Sequence, residues 1–222
     1  MAITVSLNIV WGWLDMNELQ GTYEWFNNRI GCLTASHAAV IPRQKSGKPY
    51  KAYDDEMNRI IAERITGLPI GVGTTEAMQW GIDHEDEAKD AYELATGNLV
   101  VNTGFILHPT ILYFGASPDG LVGDDGLIEI KCPNTVTHLS RIAANVVPEE
   151  YKPQMLVQLL CTGRKYVDFV DFDPRIGGEY EHLQFWTIRY EPTAEELKEA
   201  EERCVEFLTK TAERMKSLLS SV

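Results

Sequence analysis

The sequence predicts a mixed α/β (α+β) fold, a central mixed β-sheet flanked by helices, and three features predict it. The first half carries apolar residues three and four apart, closed by glycines. The middle alternates short apolar runs with turns rich in Gly, Asp and Pro. The chain then closes on a long amphipathic helix that opens at a Thr-x-x-Glu capping box, Thr193 to Glu196, after Pro192.

Taken in order, "GTYEWFNNRIG" reads as a helix stopped at Gly31, and "TASHAAVI" as a short helix capped by Thr34 and closed by Pro42. "YDDEMNRIIAERITG" sets Met57, Ile60, Ile61, Arg64 and Ile65 at helical spacing, with Gly67 past the end. A longer helix covers "TTEAMQWGIDHEDEAKDAYELATG", on which Met78, Gly81, Glu85, Ala88, Tyr92 and Ala95 share one stripe. Glu85 is the misfit there. A carboxylate on an apolar stripe either holds a metal or reaches the stripe's edge to meet a lysine, and the pattern leaves both readings open.

Strands follow over "LVVNTGFILH", "ILYFGASP" and "LIEIKCP". "NTVTHLSRIAAN" and "EEYKPQMLVQLLCTG" read as helices, with Pro153 tolerated in a first turn. "KYVDFVDFD" and "EHLQFWTIRY" are further strands. Leu197, Ala200, Cys204, Phe207, Leu208 and Met215 form the apolar stripe of the last helix. With no repeat and no low-complexity linker, one domain spanning 1–222 is expected.

Composition narrows the function class. No run is apolar enough to cross a bilayer, and "MAITVSLNIVWGWLDMNE" lacks the basic flank and cleavage pattern of a secretory signal, so a cytoplasmic protein without a membrane role is expected. Cys32, Cys132, Cys161 and Cys204 form no CxxC pair, which argues for free thiols rather than zinc or disulfides. The net charge of −13 argues against indiscriminate binding to nucleic acid. The segment "IPRQKSGKPYK" nevertheless holds Arg43, Lys45, Lys48 and Lys51 with no acid, so a local basic surface on an acidic body is available for DNA.

One stretch carries chemistry: "SPDGLVGDDGLIEIKCP", residues 117–133. Side chains alternate along a strand, so Ile128 and Ile130 point one way while Glu129 and Lys131 point the other. The "VGDDG" hairpin folds that strand back beside Asp119, where Asp119, Glu129 and Lys131 can converge as a salt bridge or a metal site. As a metal site, two carboxylates and the Ile130 backbone carbonyl form an all-oxygen set that selects Mg²⁺ or Mn²⁺. Lys131 can then hold or deprotonate a water aimed at phosphorus, and two ions would clamp both oxygens of a phosphodiester. No G-x-S-x-G elbow, P-loop, Rossmann glycine fingerprint or H-E-x-x-H is present.

An acid, a hairpin and then E-x-K on an apolar strand is the signature of the PD-(D/E)xK nuclease core, and the chain resembles in particular the phage lambda exonuclease family of viral recombination nucleases. The resemblance runs through "RIGCLTASHAA", "PRQKSGK", "WGIDHEDEA", "ASPDGLVGDDGLIEIKCP" and "FDPR". It implies a 5′→3′ exonuclease that degrades one strand of duplex DNA from its end and leaves a 3′ overhang for a single-strand annealing partner, working as a trimeric ring in a bacterial host carrying a phage. It also implies that Asp119 and Glu129 hold Mg²⁺, with Mn²⁺ able to substitute, that Lys131 positions the water, and that Glu85 lies near the metal. Arg29, Ser36 and Ser117 resemble a 5′-phosphate pocket, which a helix N-terminus near Ser36 would suit. Gln154 matches the superfamily's helix glutamine, and Arg43, Lys45 and Lys48 fall on a DNA-contacting loop. Two positions depart from the pattern: Thr137 stands where the family carries an arginine, with His138 and Arg141 nearby, and Gln158 stands where a tyrosine is common. Two other classes compete with this reading, an endonuclease of the same superfamily and a DNA-binding module whose acids only brace the fold. Trp11, Trp13 and Trp25 are expected to be core anchors, any one of which could instead stand near a DNA end.

Overall fold

Two sheets share the strands of the chain, in a computed structural model that describes residues 20–41, 51–71 and 73–221. The described helices are α1 (Tyr23–Arg29), α2 (Ala52–Thr66), α3 (Glu76–Thr96), α4 (Thr135–Ala144), α5 (Lys152–Thr162) and α6 (Ala194–Leu219). The strands are β1 (Leu33–Thr34), β2 (Val100–Val101), β3 (Ile106–Leu107), β4 (Phe114–Ala116), β5 (Gly120–Val122), β6 (Gly126–Lys131), β7 (Tyr166–Phe172) and β8 (Phe185–Tyr190). Segment 42–50, with Arg43, Lys45 and Lys48, and the N-terminal stretch with Trp11 and Trp13 lie outside the described residues.

The larger sheet runs β2-β5-β6-β7-β8. Its β5–β6 hairpin is antiparallel, β6 and β7 are parallel, and β7 and β8 are antiparallel. A parallel step needs a long crossover, and α4 and α5 supply it. The mixed sheet flanked by helices is therefore the architecture that the sequence predicts. The smaller sheet, β1-β4-β3, packs with α2, α5 and α6 around Leu33, Ile60, Phe114, Val157 and Phe207.

Period two decides which side of β6 carries chemistry. Ile128 and Ile130 pack with Ala88 and Tyr92 of α3, while Leu127 packs with Met155 and Leu159 of α5 on the opposite face. Glu129 and Lys131 follow Leu127 onto the α5 side. Tyr92 and Phe169, with no exposed surface, pin the two faces, and each such burial contributes about 2–3 kcal/mol.

Three expectations need correction. "LVVNTGFILH" is not one strand: Val100–Val101 pairs with β5 and Ile106–Leu107 with β4 of the other sheet, so the "NTG" between them carries the chain across. "TASHAAVI" is a six-residue 3₁₀ turn, Ala35–Val40, and Thr34 does not cap it; the Thr34 hydroxyl meets that of Ser36 at 3.1 Å. So short a turn offers no helix N-terminus for an anion. The stripe of α3 is buried only at Ala88 and Tyr92, while Met78 is 54% exposed, because the first turns of α3 overhang the sheet and wall a cleft. The capping box of α6 is as expected, with Thr193 and Glu196 bonded reciprocally.

Candidate active site

Register places the acids. Gly120 of β5 sits opposite Ile128 of β6, and one further antiparallel step sets Asp119 opposite Glu129. Gly120 is required there, since a β-carbon would come within 2.2 Å of the Val100 side chain. Asp119 Oδ2 accepts the Ile130 amide at 2.7 Å, completing the ladder past the end of β5 with a side chain. A strand residue turns its N–H and C=O toward the same neighbour, so the Ile130 carbonyl faces the same side.

Glu129 is wholly buried and surrounded by donors. Its Oε1 accepts from Lys131 Nζ and from Gln154 Nε2 at 2.6 Å, and its Oε2 accepts from Gln158 Nε2 at 2.5 Å. Gln154 and Gln158 are four apart on α5 and hence on one face. Lys131 also lies 5.1 Å from the centre of the Tyr151 ring.

The electrostatics follow from crowding. Burial pushes the Asp119 carboxyl well above the usual carboxylate range, and Glu129 and Glu85 push it further, against the pull of Lys131 and of the Ile130 amide. Burial alone would lower Lys131, but Glu129 and Asp119 outweigh it and its ammonium is held more firmly than usual. Glu85 lines the cleft beside Asp119 and meets Lys89 at 2.7 Å, the lysine contact that the stripe allowed. Lys89 also donates to Asn102 at 3.0 Å.

A second group of residues occupies the same cleft. Arg29 donates to Ser117 Oγ at 3.3 Å and to Ser36 Oγ at 3.0 Å, while its guanidinium stacks 3.9 Å from the Trp25 ring centre. Trp25 Nε1 donates to the same Ser117 hydroxyl at 2.9 Å. Burial, and then the nearby Arg59, lower Arg29 to about 10, which leaves it cationic at neutral pH. Behind it Arg59 is clamped between Glu56 and Glu63, and Glu63 also accepts the Gly31 amide at 2.8 Å. The cleft encloses about 800 Å³ and is lined by Trp25, Arg29, Ser36, Met78, Glu85 and Asp119, among others.

Glu129, Lys131 and Gln154 thus meet directly, Asp119 is tied to the Ile130 amide between them, Glu85 shares the cleft with Asp119, and Arg29, Ser36 and Ser117 form a separate group. His138 and Arg141 do not stand in for the arginine missing at Thr137. His138 is buried between Asp171 and the Leu183 carbonyl at 2.7 Å, and Arg141 is bonded to Asp171 at 2.6 Å and to the Tyr151 hydroxyl at 3.1 Å. Lys89 joins the site without having been picked out, while Trp25, expected to be a core anchor or to stand near a DNA end, lines the cleft, and Gln158, noted only as a departure from a tyrosine, holds Glu129. The spacing of Gln154 and Gln158, one helical turn apart, is the signal that could have found the last.

The donor set fits a hard divalent cation. Asp119, Glu129 and the Ile130 carbonyl offer oxygen only, and the like-charge crowding that raises Asp119 is what a cation relieves. Among the described residues no three His, Cys, Asp or Glu are grouped as a ready-made site, so the fit rests on two carboxylates and a peptide oxygen. Nor is any described helix long and apolar enough to cross a membrane.

Residues 24–165 match the family model of the YqaJ-like viral recombinase domain. An alkaline exonuclease, LHK-Exo from Laribacter hongkongensis, superposes with a TM-score of 0.80 at 38% identity, over 90% of this chain and 97% of that one. The same nuclease in complex with dAMP superposes at 0.81. A phage-related exonuclease from Haemophilus somnus 129PT shares the fold at 13% identity, with a TM-score of 0.63 over 84% of this chain and 96% of that one. Among curated proteins none matches the chain.

Proposed function

This chain belongs to the family of YqaJ-like viral recombinase domains, and we propose that it is a divalent-metal-dependent exonuclease that removes nucleotides from the 5′ end of one strand of duplex DNA. One observation carries the reading: Asp119, bonded to the Ile130 amide between Glu129 and Lys131, lines the same cleft as Arg29 and Ser36, and Arg29 also holds Ser117. The first suits hydrolysis of a phosphodiester, the second suits an anionic end group, and an end-directed nuclease needs both. The alkaline exonuclease seen with dAMP supports the same substrate class.

Asp119, Glu129 and the Ile130 carbonyl would hold Mg²⁺, with Mn²⁺ able to substitute and Glu85 placed for a second ion. A cation bound there supplies Lewis-acid polarisation of the phosphoryl oxygen and a more acidic water. Lys131, whose ammonium its two acidic neighbours favour, orients a water and meets the charge that develops on phosphorus. As water adds to phosphorus and gives up a proton to solvent, the bond to the 3′ oxygen of the departing nucleotide breaks, and that oxygen takes a proton from solvent. The shortened strand keeps a 5′-phosphate, which Arg29, Ser36 and Ser117 can accept for the next round.

The remaining parts of the proposal follow the family. The chain acts as one nuclease domain over 1–222, assembles as a trimeric ring on a DNA end, and leaves 3′ single strands for an annealing recombination protein in the cytoplasm of a bacterial host carrying a phage. Gln154, Arg43, Lys45 and Lys48 contribute contacts to the substrate. Linear duplex labelled at the 5′ or the 3′ end, with Mg²⁺ and with EDTA, tests the reading. Release of 5′ label as mononucleotide, only with metal, is the expected result. Loss of 3′ label first would reverse the polarity. Digestion of a covalently closed circle would favour the internal-cutting alternative.

A further inference from the structure

Resting on the metal-dependent reading above, we infer that Gln158 is a positioning residue that holds Glu129 by Oε2 and reserves Oε1 for the cation. Gln158 has no exposed surface, and its Nε2 donates to Glu129 Oε2 at 2.5 Å. Its own Oε1 is buried and, among the described residues, bonded to nothing. An unsatisfied buried acceptor costs about 1–3 kcal/mol. The opposite amide orientation would turn that oxygen onto a carboxylate, so the orphan follows from keeping a donor on Glu129.

The two oxygens of Glu129 are held differently. Oε1 is held by Gln154 and Lys131, side chains that both reach solvent and can withdraw. Oε2 is held from inside the helix–sheet interface by an amide that does not reach solvent. A cation that reaches Glu129 from the side of Gln154 and Lys131 therefore displaces donors from Oε1 and leaves the Gln158 bond intact. Glu129 binds through one oxygen, in a fixed orientation, and two-oxygen chelation is prevented. Hydrogen bonds to a ligating carboxylate are worth roughly 10–100-fold in metal affinity.

Two measurements test this. Mn²⁺ titrated without DNA, read by electron paramagnetic resonance, should bind Gln158→Met about 10-fold more weakly than the wild type. The thermal midpoint of that variant should fall as well, since the buried Glu129 Oε2 loses its donor, so the Mn²⁺ affinity of the folded protein is the deciding readout. A purely structural glutamine would lower the midpoint and leave the Mn²⁺ affinity of the folded fraction alone, and an affinity within about two-fold of wild type overturns the inference. Should Gln158→Met not fold, a crystal structure of the wild-type protein with Mn²⁺ decides alone. Glu129 bound through Oε1, with Gln158 still on Oε2, is expected; bonding through Oε2 or both oxygens overturns the assignment. Wild-type protein that neither binds Mn²⁺ nor digests duplex would sink the nuclease proposal instead, whereas active protein with two-oxygen Glu129 sinks only this inference.

Discussion

Asp119 accepts the backbone amide of Ile130 across 2.7 Å, so one side chain both ends the hairpin ladder and joins the acidic group. A carboxylate used as a strand cap is fixed in direction before any ligand arrives. The cost is proximity to Glu129 and Glu85, whose charges, after burial itself, raise its proton affinity. Both neighbouring carboxylates therefore crowd Asp119 in its buried position.

That tension predicts the behaviour of Asp119→Asn. The amide oxygen can still take the Ile130 proton, while the charge is gone. With EDTA present the variant should melt higher than wild type at neutral pH, by about 2–4 °C for each kcal/mol of repulsion removed. The sign follows from linkage: an acid whose folded pKa is raised contributes stability below its unfolded pKa, near 3.9, and loses it as pH rises through the folded value. The difference between variant and wild type should therefore open upward from about pH 4 and be absent below it. Cleavage and Mn²⁺ binding should both be lost. A variant that melts lower at pH 7 would contradict the crowding of the acids.

Lys131→Met separates catalysis from binding. The ammonium occupies the Glu129 oxygen assigned to the cation, so removing it should leave Mn²⁺ binding intact or tighter. Orientation of the water and stabilisation of charge on phosphorus are lost, and turnover should fall about 10²–10³-fold with duplex binding largely kept. Single-turnover cleavage beside a gel-shift titration reads both. Unchanged turnover would remove Lys131 from the chemistry.

Legibility in the sequence followed the range of the interactions. Asp119, Glu129 and Lys131 could be read because a hairpin and a period of two fix their relation locally. The capping box at Thr193 and Glu196 was legible for the same reason. The split of "LVVNTGFILH" between two sheets was not, since both halves satisfy one strand pattern and only long-range pairing assigns them. The α3 stripe misled because spacing reports a face and not how far the sheet extends beneath it. The convergence of Trp25 with Ser117, 92 positions apart, leaves no local signal at all.

Arg29→Lys tests the anion group. Lysine keeps the charge but cannot reach Ser36 and Ser117 together or lie flat on Trp25. A charge-assisted hydrogen bond is worth about 1.5–3 kcal/mol, so the preference for 5′-phosphorylated over 5′-hydroxyl duplex ends should fall about 10–100-fold. The effect should appear in KM and not in the rate of a bound end. Equal use of both ends by the wild type would show that the group serves another anion, a direct consequence to examine given Thr137.

Salt dependence addresses the paradox of an acidic protein on DNA. With a net charge of −13, the body as a whole repels phosphate, so affinity must come from a few local cations. Arg43, Lys45 and Lys48 are the densest acid-free group in the sequence. Each phosphate neutralised adds about −0.9 to the slope of log affinity against log salt. Removing two contacting lysines together, Lys45→Ala with Lys48→Ala, should flatten that slope by about 1.8 and weaken binding to all duplex sequences alike. Binding isotherms on a short duplex at several NaCl concentrations measure it. Because neither lysine belongs to the carboxylate group, the cleavage rate of an end already bound should not move. A slope indifferent to the double substitution would transfer the phosphate contacts to Arg29 and the cleft itself, where fewer neutralised phosphates would give a shallower wild-type slope from the outset.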